Sequence, residues 1–305
     1  MKLERGHSML VFSPHKRIVR RIRFSPDGRH VLITSSDSCL HALDALTGKP
    51  VWSVPNIACN DVEYSRDGHT VYYLTGGWKS RRLVMGNADT EQERASVPVE
   101  GSAFAITPDQ KRVVFTALRD ANPNELSAQI QRTDLVGGRR VESLPMSSLG
   151  QHRIAISSDG RRAAVRSYEQ FVLVNLETWA IVGARTIAHA NSVHYGLRFA
   201  PDGRTVVFSI GPHLYVWDAE TGTELCEARD KGPHVQDLAF TPDGRHLFTV
   251  SNDTTVKVRE SATWGLAKSY TWKAGALRCV EVSPDGARAA AGSVTGKVVV
   301  WDVDL

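Results

Sequence analysis

A set of polar residues recurs at one position in a series of largely apolar segments, and it is the first candidate for binding chemistry. The set is Arg20, Asn60, Ser102, His152, His194, Gln236 and Arg278. Each member precedes an aspartate by seven residues. The exception is His194, which precedes its aspartate by eight because the fifth repeat is one residue longer, so its assignment to the set could shift by one position. Because guanidinium groups bind carboxylates and phosphates strongly, a set with two arginines and two histidines could hold an anionic group.

Motifs for catalysis or metal binding do not accompany this set. The chain has no His-Glu-x-x-His, no Gly-x-x-x-x-Gly-Lys-Ser/Thr and no Gly-x-Ser-x-Gly segment. Its cysteines form no Cys-x-x-Cys pair, and none has a histidine at a metal-ligand spacing. We therefore expect a protein that is not an enzyme, has no cofactor and keeps free thiols, as in the reducing cytoplasm.

A four-residue turn that occurs seven times must position the polar set. Its first copy is Ser25-Pro26-Asp27-Gly28, which follows an alternating run from Ile18 to Phe24. The steps from one turn aspartate to the next are 40, 42, 50, 43, 41 and 42 residues. Such a period indicates a repeat architecture. The other copies are Ser65-Arg66-Asp67-Gly68, Thr107-Pro108-Asp109-Gln110, Ser157-Ser158-Asp159-Gly160, Ala200-Pro201-Asp202-Gly203, Thr241-Pro242-Asp243-Gly244 and Ser283-Pro284-Asp285-Gly286.

Each repeat is predicted to form four short strands separated by polar turns. In the first repeat the predicted strands are Val19–Phe24, His30–Thr34, Leu40–Asp44 and Val51–Val54. In the sixth they end with Trp264–Tyr270. No stretch of ten or more residues has a convincing 3.6-residue apolar period, so the sequence predicts an all-β fold.

These features resemble the WD-repeat β-propeller family over essentially the whole chain, as a divergent member. The resemblance is carried by the seven turns, by Trp217-Asp218 and Trp301-Asp302, and by the Thr-Gly turns Thr47-Gly48 and Thr221-Gly222. In that family each blade is a four-stranded antiparallel sheet, and the blades surround a channel. The resemblance implies a single seven-bladed propeller over residues 1–305.

The two ends of the chain fit the way this family closes its ring. The last repeat stops at its third strand, and an unassigned strand, Met9–Ser13, precedes the first repeat. The resemblance implies that this leading strand pairs with Lys297–Val303 and completes the last blade, which removes an open sheet edge.

The family's buried hydrogen-bonding set is present only in fragments. It consists of a His before the first strand, a Ser or Thr in the second, an Asp in the next turn and a Trp in the third strand. The first repeat keeps His15, Ser35 and Asp37, but Leu43 replaces the Trp. We expect these residues to be structural rather than catalytic.

The resemblance places the polar set at the top mouth of the channel, with His234 on the rim just outside it. It also places on the top face the loop that contains Trp78 and an insertion at Arg119–Glu125. Two alternatives stay open. Channel mouths are wet in any propeller and are polar for that reason alone, and Trp78 could fold onto its own blade instead of contacting a partner.

The net charge of +4 is unevenly distributed. Residues 1–30 carry eight Lys and Arg against two acidic residues, a net of +6, and the remaining residues sum to 4 − 6 = −2. The basic edge could attract an acidic partner or could simply be solvated. Its segment from His15 to Arg23 lacks the interleaved aromatic residues that stack on bases, so nucleic acid is not the expected partner.

No run approaches 18 apolar residues, so no membrane association is expected.

The sequence therefore predicts a non-catalytic scaffold that binds protein partners through its top face and channel mouth, as a monomer or within a larger complex. The alternative is a propeller enzyme or a binder of a small anionic ligand at the polar mouth.

Overall fold

A computed structural model describes residues 9–77, 80–119, 127–138, 141–146, 152–187, 196–229 and 232–305 of the 305-residue chain. Of the predicted top-face residues, Trp78 and His194 and the side chain of Asn60 lie outside this description, as does most of the predicted insertion Arg119–Glu125. All regular structure in the described ranges is β-strand, as predicted.

The structure contains 28 strands among its described residues. In chain order they are β1 (Met9–Phe12), β2 (Val19–Phe24), β3 (His30–Ser35), β4 (Leu40–Asp44), β5 (Pro50–Val54), β6 (Ile57–Tyr64), β7 (Thr70–Thr75), β8 (Arg82–Asn87), β9 (Glu93–Pro98), β10 (Gly101–Ile106), β11 (Arg112–Arg119), β12 (Ser127–Asp134), β13 (Glu142–Met146), β14 (Arg153–Ile156), β15 (Arg162–Arg166), β16 (Gln170–Asn175), β17 (Ala180–Thr186), β18 (Leu197–Phe199), β19 (Thr205–Ile210), β20 (His213–Asp218), β21 (Thr223–Arg229), β22 (Val235–Phe240), β23 (His246–Ser251), β24 (Thr255–Glu260), β25 (Leu266–Thr271), β26 (Leu277–Val282), β27 (Arg288–Ser293) and β28 (Val298–Asp302).

These strands form seven antiparallel sheets of four, which confirms the predicted seven-bladed propeller. Blades one to six each consist of four consecutive strands, beginning with β2–β5 and ending with β22–β25. Blade seven has the order β1-β28-β27-β26 and so combines the two ends of the chain. The first strand of each blade, from β2 to β26, is the inner strand.

The N-terminal strand closes the ring, as the resemblance implied. Met9 pairs with Trp301 and Phe12 pairs with Val298 across an antiparallel ladder. Leu10 and Phe12 also pack against the apolar cluster between blades seven and one. The leading strand therefore contributes both backbone hydrogen bonds and apolar contacts to blade seven.

The apolar core is divided among the seven junctions between neighbouring blades. The described residues form seven buried clusters, and each contains side chains from two adjacent blades. One example is the junction of blades four and five, where Phe171 stacks on Phe208 at 4.2 Å and meets Trp217 edge-on. Each blade packs against one neighbouring blade on each of its two faces. Apolar residues on both faces of a strand are therefore buried.

The Asp-Gly turns follow the inner strands and hold their own hydrogen-bond network. In blade one the Ser25 hydroxyl donates to Asp27 Oδ1 at 2.5 Å, and the same oxygen accepts from the Arg29 amide at 3.0 Å. Gly28 has φ 70°, the left-handed region where glycine is favoured. In the third copy Gln110 adopts this conformation with φ 56°.

Most predicted strand boundaries in blades one and six agree with the structure, and one is wrong. The sixth repeat was expected to have its last strand begin at Trp264, but β25 begins at Leu266. The reason is that Trp264 has φ 58° and its amide donates to the Glu260 carbonyl, which makes it part of the turn.

Candidate functional site at the channel mouth

A β-bulge near the start of the inner strand positions Arg20. Val19 pairs with Ser35 and Arg21 pairs with Thr34, so Arg20 is an extra residue with no partner in the ladder. A bulge interrupts the two-residue alternation of a strand and redirects its side chain. This local irregularity breaks the alternation between Arg20 and Arg21, which are adjacent in sequence.

The same bulge occurs in the two preceding blades. Gln236 is the extra residue between the pairs of Val235 and Asp237 in blade six. Arg278 is the extra residue between the pairs of Leu277 and Cys279 in blade seven. Blades six, seven and one are neighbours in the ring, so three equivalent bulges present Gln236, Arg278 and Arg20 side by side. We call these three residues the mouth triad.

The members of the mouth triad interact with one another. Arg278 Nη1 donates to Gln236 Oε1 at 2.7 Å, and Gln236 Nε2 donates to the carbonyl of His234 at 3.1 Å. Gln236 is only 1% exposed, so these bonds fix the orientation of its amide. Burial lowers the pKa of Arg278, and the positive charge of Arg20, on the equivalent bulge of the neighbouring inner strand, adds to this shift.

The other predicted top-face residues are placed as follows. His234 is exposed and directly precedes the inner strand of blade six. Ser102 lies in the irregular start of β10, between the pairs of Gly101 and Phe104, and is partly buried. His152 is buried and directly precedes β14. Ser102 and His152 belong to blades three and four, across the ring from the mouth triad.

Charged residues below the mouth were not anticipated from the sequence. The first of two deeper layers is formed by the residues six positions before the turn aspartates. Arg21 Nε donates to Asp61 Oδ1 at 2.8 Å, and Arg21 Nη1 lies 3.6 Å from Asp237 Oδ2. Arg21 and Asp237 are almost completely buried. Arg21 of blade one therefore joins blades two and six.

The second deeper layer lies four positions before the turn aspartates. Glu281 accepts hydrogen bonds from Arg23 Nη1 at 2.7 Å and from Arg198 Nη2 at 3.1 Å. Glu63 Oε2 accepts from the Ile106 amide at 3.0 Å. Burial raises the pKa of Glu63 to about 7, although the positive charge of Arg23 opposes the shift. One carboxylate, Glu281, thus connects blades five, seven and one.

Small residues at intervening positions make room for these long side chains. Arg21 reaches Asp237 past blade seven, where the equivalent residue is Cys279. Arg198 reaches Glu281 past blade six, where the equivalent residue is Ala239. The remaining members of the two layers that carry no charge are also small: Ala103, Gly196, Ala105 and Ala155.

The formal charges of the three layers differ in a simple way. Counting by repeat position, the first deeper layer has two arginines and two aspartates, and the second has two arginines and two glutamates. The top layer is formed by the residues seven positions before the turn aspartates (eight in blade five) and includes the mouth triad. It has Arg20 and Arg278 and no acidic residue. The positive excess of the inner strands therefore lies at the mouth. The charged members are Arg21, Asp61, Arg153 and Asp237 in one deeper layer and Arg23, Glu63, Arg198 and Glu281 in the other.

A sequence signal for the deeper layers existed. Positions six and four before each turn aspartate lie on one face of a strand, because side chains alternate. Eight of those positions carry formal charges, which is unusual for buried positions of a strand. The inner strands are therefore more polar than the description as largely apolar segments suggests, because charged positions also occur below the top one.

The family's structural hydrogen-bond set is incomplete in the structure. In blade one His15 Nδ1 lies 2.9 Å from Asp37 Oδ2, and His15 is buried. Among the described residues, the buried indole N–H group of Trp217 has no hydrogen-bond partner. Within the described ranges no group of His, Cys, Asp and Glu side chains is arranged to hold a metal ion. The described part of the chain also contains no helix that could span a bilayer.

Comparisons with known proteins agree with the fold. The family described as WD domain, G-beta repeat matches residues 6–44, 226–259 and 266–302, which include the inner strands of the three blades that carry the mouth triad. The matched segments lie in three of the seven blades, and the described residues fold as a seven-bladed β-propeller whose ring is closed by the N-terminal strand.

The chain is also similar to parts of several larger proteins. It is 27% identical to Telomerase protein component 1 of Mus musculus over 57% of this chain and 6% of that protein. It is 26% identical to Target of rapamycin complex subunit wat1 of Schizosaccharomyces pombe over 50% of this chain and 46% of that protein. It is 27% identical to Protein groucho of Drosophila melanogaster over 35% of this chain and 15% of that protein. The matches span less than half the length of each of these relatives.

Proposed function

We propose that this chain is a single propeller that serves as a non-catalytic platform for protein–protein contact, and that its partner binds at the top face and channel mouth. The observation that carries the proposal is the mouth triad, three polar residues on equivalent bulges of neighbouring blades. Below it, ion pairs bridge the inner strands at two levels, so a partner would engage the mouth rather than pass through the channel.

The relatives support this kind of function. WD-repeat propellers are generally non-catalytic scaffolds, and one of the relatives is by its name a subunit of a complex. A cytoplasmic setting is part of the proposal and rests on the cysteines, which are free where the structure describes them.

A photo-crosslinking amino acid at His234 tests the proposal without changing the mouth triad. His234 is exposed on the top rim. The matched control carries the same amino acid at Arg245, whose side chain is 82% exposed beside an Asp-Gly turn on the opposite face. In an extract of the source cells we expect a covalent protein adduct from position 234 and not from position 245. An adduct from position 245 alone would contradict the top-face assignment.

The second candidate function, a binder of a small anionic ligand or an enzyme that uses the mouth, is supported by the same pair of arginines. It is distinguished by replacing Arg20 and Arg278 with alanine. Loss of a thermal shift caused by inorganic phosphate, with the crosslinked partner retained, would favour the second candidate over the platform.

A further inference from the structure

We propose that the mouth triad binds an acidic segment of the protein partner, with Arg20 and Arg278 contacting carboxylate side chains and Gln236 acting as a positioning residue. This inference rests on the proposed function and adds the chemistry of the partner. It assigns the contact to blades six, seven and one rather than to the whole ring.

The charge distribution among the inner strands is the first argument. Both deeper layers balance arginine against carboxylate, whereas the top layer has a formal charge of +2 from Arg20 and Arg278. Opposite charges within these deeper layers are already in contact, for example Arg21 with Asp61 and Arg23 with Glu281. Counted by repeat position, the top layer is therefore the one of the three that contains arginine and no acidic residue.

The position of Arg20 and Arg278 on equivalent bulges of neighbouring inner strands is the second argument. Like charges held close together in a partly buried place repel each other, and the lowered pKa of Arg278 reflects both effects. Within the described part of the chain, the buried Nε atom of Arg20 has no hydrogen-bond partner. A carboxylate between the two side chains would relieve the repulsion and offer an acceptor to this N–H group.

The fixed orientation of Gln236 is the third argument. Its amide oxygen accepts from Arg278, and its amide nitrogen donates to the His234 carbonyl. Because Gln236 is fully buried, Arg278 is held in place before a ligand arrives. Such preorganisation reduces the entropic cost of binding. Gln236 thus acts through Arg278, and its replacement should weaken binding without changing the charge of the site.

The match to an acidic protein segment follows from charge and from shape. Two neighbouring carboxylates neutralise a charge of +2, and the planar fork of each arginine fits a carboxylate. The mouth opens on the top face beside the exposed His234, so an extended acidic segment can lie across it.

The test uses fluorescein-labelled acetyl-hexaglutamate as the probe and fluorescence anisotropy as the readout. Three proteins are compared: the unmodified chain, the mouth variant Arg20→Gln with Arg278→Gln, and a control variant Arg29→Gln with Arg245→Gln. The control removes the same two charges from the opposite face, where Arg29 and Arg245 have side chains 81% and 82% exposed. A non-specific effect of net charge is thereby matched.

We expect the mouth variant to bind hexaglutamate at least about tenfold more weakly than the unmodified chain, because each lost contact is a charge-assisted hydrogen bond. The control variant should bind within about twofold of the unmodified chain. Gln236→Ala should weaken binding less than the mouth variant does, while Arg20→Lys with Arg278→Lys should restore part of it. Circular dichroism melting establishes that each variant is folded.

Three outcomes would overturn the inference. The first is equal binding by all variants, and the second is an equal loss in the mouth and control variants. The third is an arginine-dependent thermal shift with inorganic phosphate but none with hexaglutamate, which would assign the site to a small dianion. If a protein adduct forms at position 234 while hexaglutamate does not bind, the platform function stands and only the acidic-segment inference fails.

Discussion

Arg198 in blade five donates to Glu281 in blade seven, with Nη2 3.1 Å from Oε2, across 83 positions of sequence and past the intervening blade six. The same carboxylate oxygen accepts from Arg23 of blade one. The contact depends on Ala239, whose small side chain leaves space on the inner strand of blade six. A single acidic residue therefore links three blades through the channel.

Replacing Glu281 with alanine is predicted to lower the free energy of unfolding by about 2–4 kcal/mol, because two partly buried guanidinium groups then lack a carboxylate. Urea unfolding followed by tryptophan fluorescence measures the change. The exposed Glu220 provides the control, since Glu220→Ala should change the free energy of unfolding by less than about 0.5 kcal/mol. Similar values for the two variants would show that the channel network does not stabilise the ring.

The Asp-Gly turn of blade five lacks a hydroxyl that the other six copies have. Ala200 occupies the position of the serine or threonine, and Asp202 accepts from the Thr205 amide at 3.3 Å in addition to the Arg204 amide. In blade seven the Ser283 hydroxyl donates to Asp285 Oδ1 at 2.5 Å and accepts from the Arg288 amide. The two turns thus differ by one hydroxyl.

We predict that Ser283→Ala destabilises the protein by about 1 kcal/mol and that Ala200→Ser stabilises it by about 0.5 kcal/mol, because a hydrogen-bonding hydroxyl is removed in one case and added in the other. Thermal melting of both variants gives the sign of each change. A decrease in melting temperature for both would mean that the turn of blade five has no room for the hydroxyl.

Glu63 is predicted to make the free energy of unfolding depend on pH. The dependence extends to higher pH than the range in which a glutamate ordinarily titrates. Its pKa is raised by burial from an ordinary 4.5 to about 7, with Arg23 and Arg198 opposing the shift and Asp61 adding to it. The folded state therefore binds a proton that the unfolded state has released. The resulting stabilisation is complete below pH 4.5 and is lost as the pH rises through about 7.

Glu63→Gln removes this titration while keeping a similar shape. Between pH 5 and pH 7, the free energy of unfolding of the unmodified chain should fall relative to that of the variant, by at most about 1.4 kcal/mol per pH unit. Urea unfolding at several pH values measures the difference. Glu220→Gln is the control. Parallel curves for the unmodified chain and Glu63→Gln across this range would rule out the raised pKa.

Removing β1 is predicted to open the ring. A deletion through Phe12 exposes the ladder edge of β28 and uncovers part of the apolar cluster between blades seven and one. We expect the melting temperature to fall by at least about 5 °C and the protein to self-associate through the open edge. Size-exclusion chromatography and thermal melting are compared with a deletion through residue 7, which keeps β1. A monomer that melts like the shorter deletion would contradict strand closure.

The fold was largely predictable from the sequence because its signals are local. The spacing of the turn aspartates gave the number of blades, and the pattern after Ser25 gave the strands of the first repeat to within a residue or two. Ring closure by Met9–Phe12 could be predicted from the family resemblance, because the last repeat lacks a fourth strand and an unassigned strand precedes the first repeat. Trp264 was misassigned because a left-handed conformation at a tryptophan has no clear sequence signal.

The site was less predictable because it depends on relations between blades. The repeat count placed Arg20, Gln236 and Arg278 at equivalent positions, but it did not predict the bulges that bring them together. The contact of Arg198 with Glu281 depends on which side chains meet across a closed ring and on the small residues between them. Whether Asn60, Trp78 and His194 contribute to the top face stays a prediction.

Hydrogen–deuterium exchange of the propeller with and without its crosslinked partner tests the central claim most directly. We predict that the partner protects backbone amides at the three bulges, in residues 19–21, 235–237 and 277–279, and leaves exchange at the Asp-Gly turns unchanged. Protection confined to those turns, with no change at the bulges, would contradict the assignment of the channel mouth as the binding site.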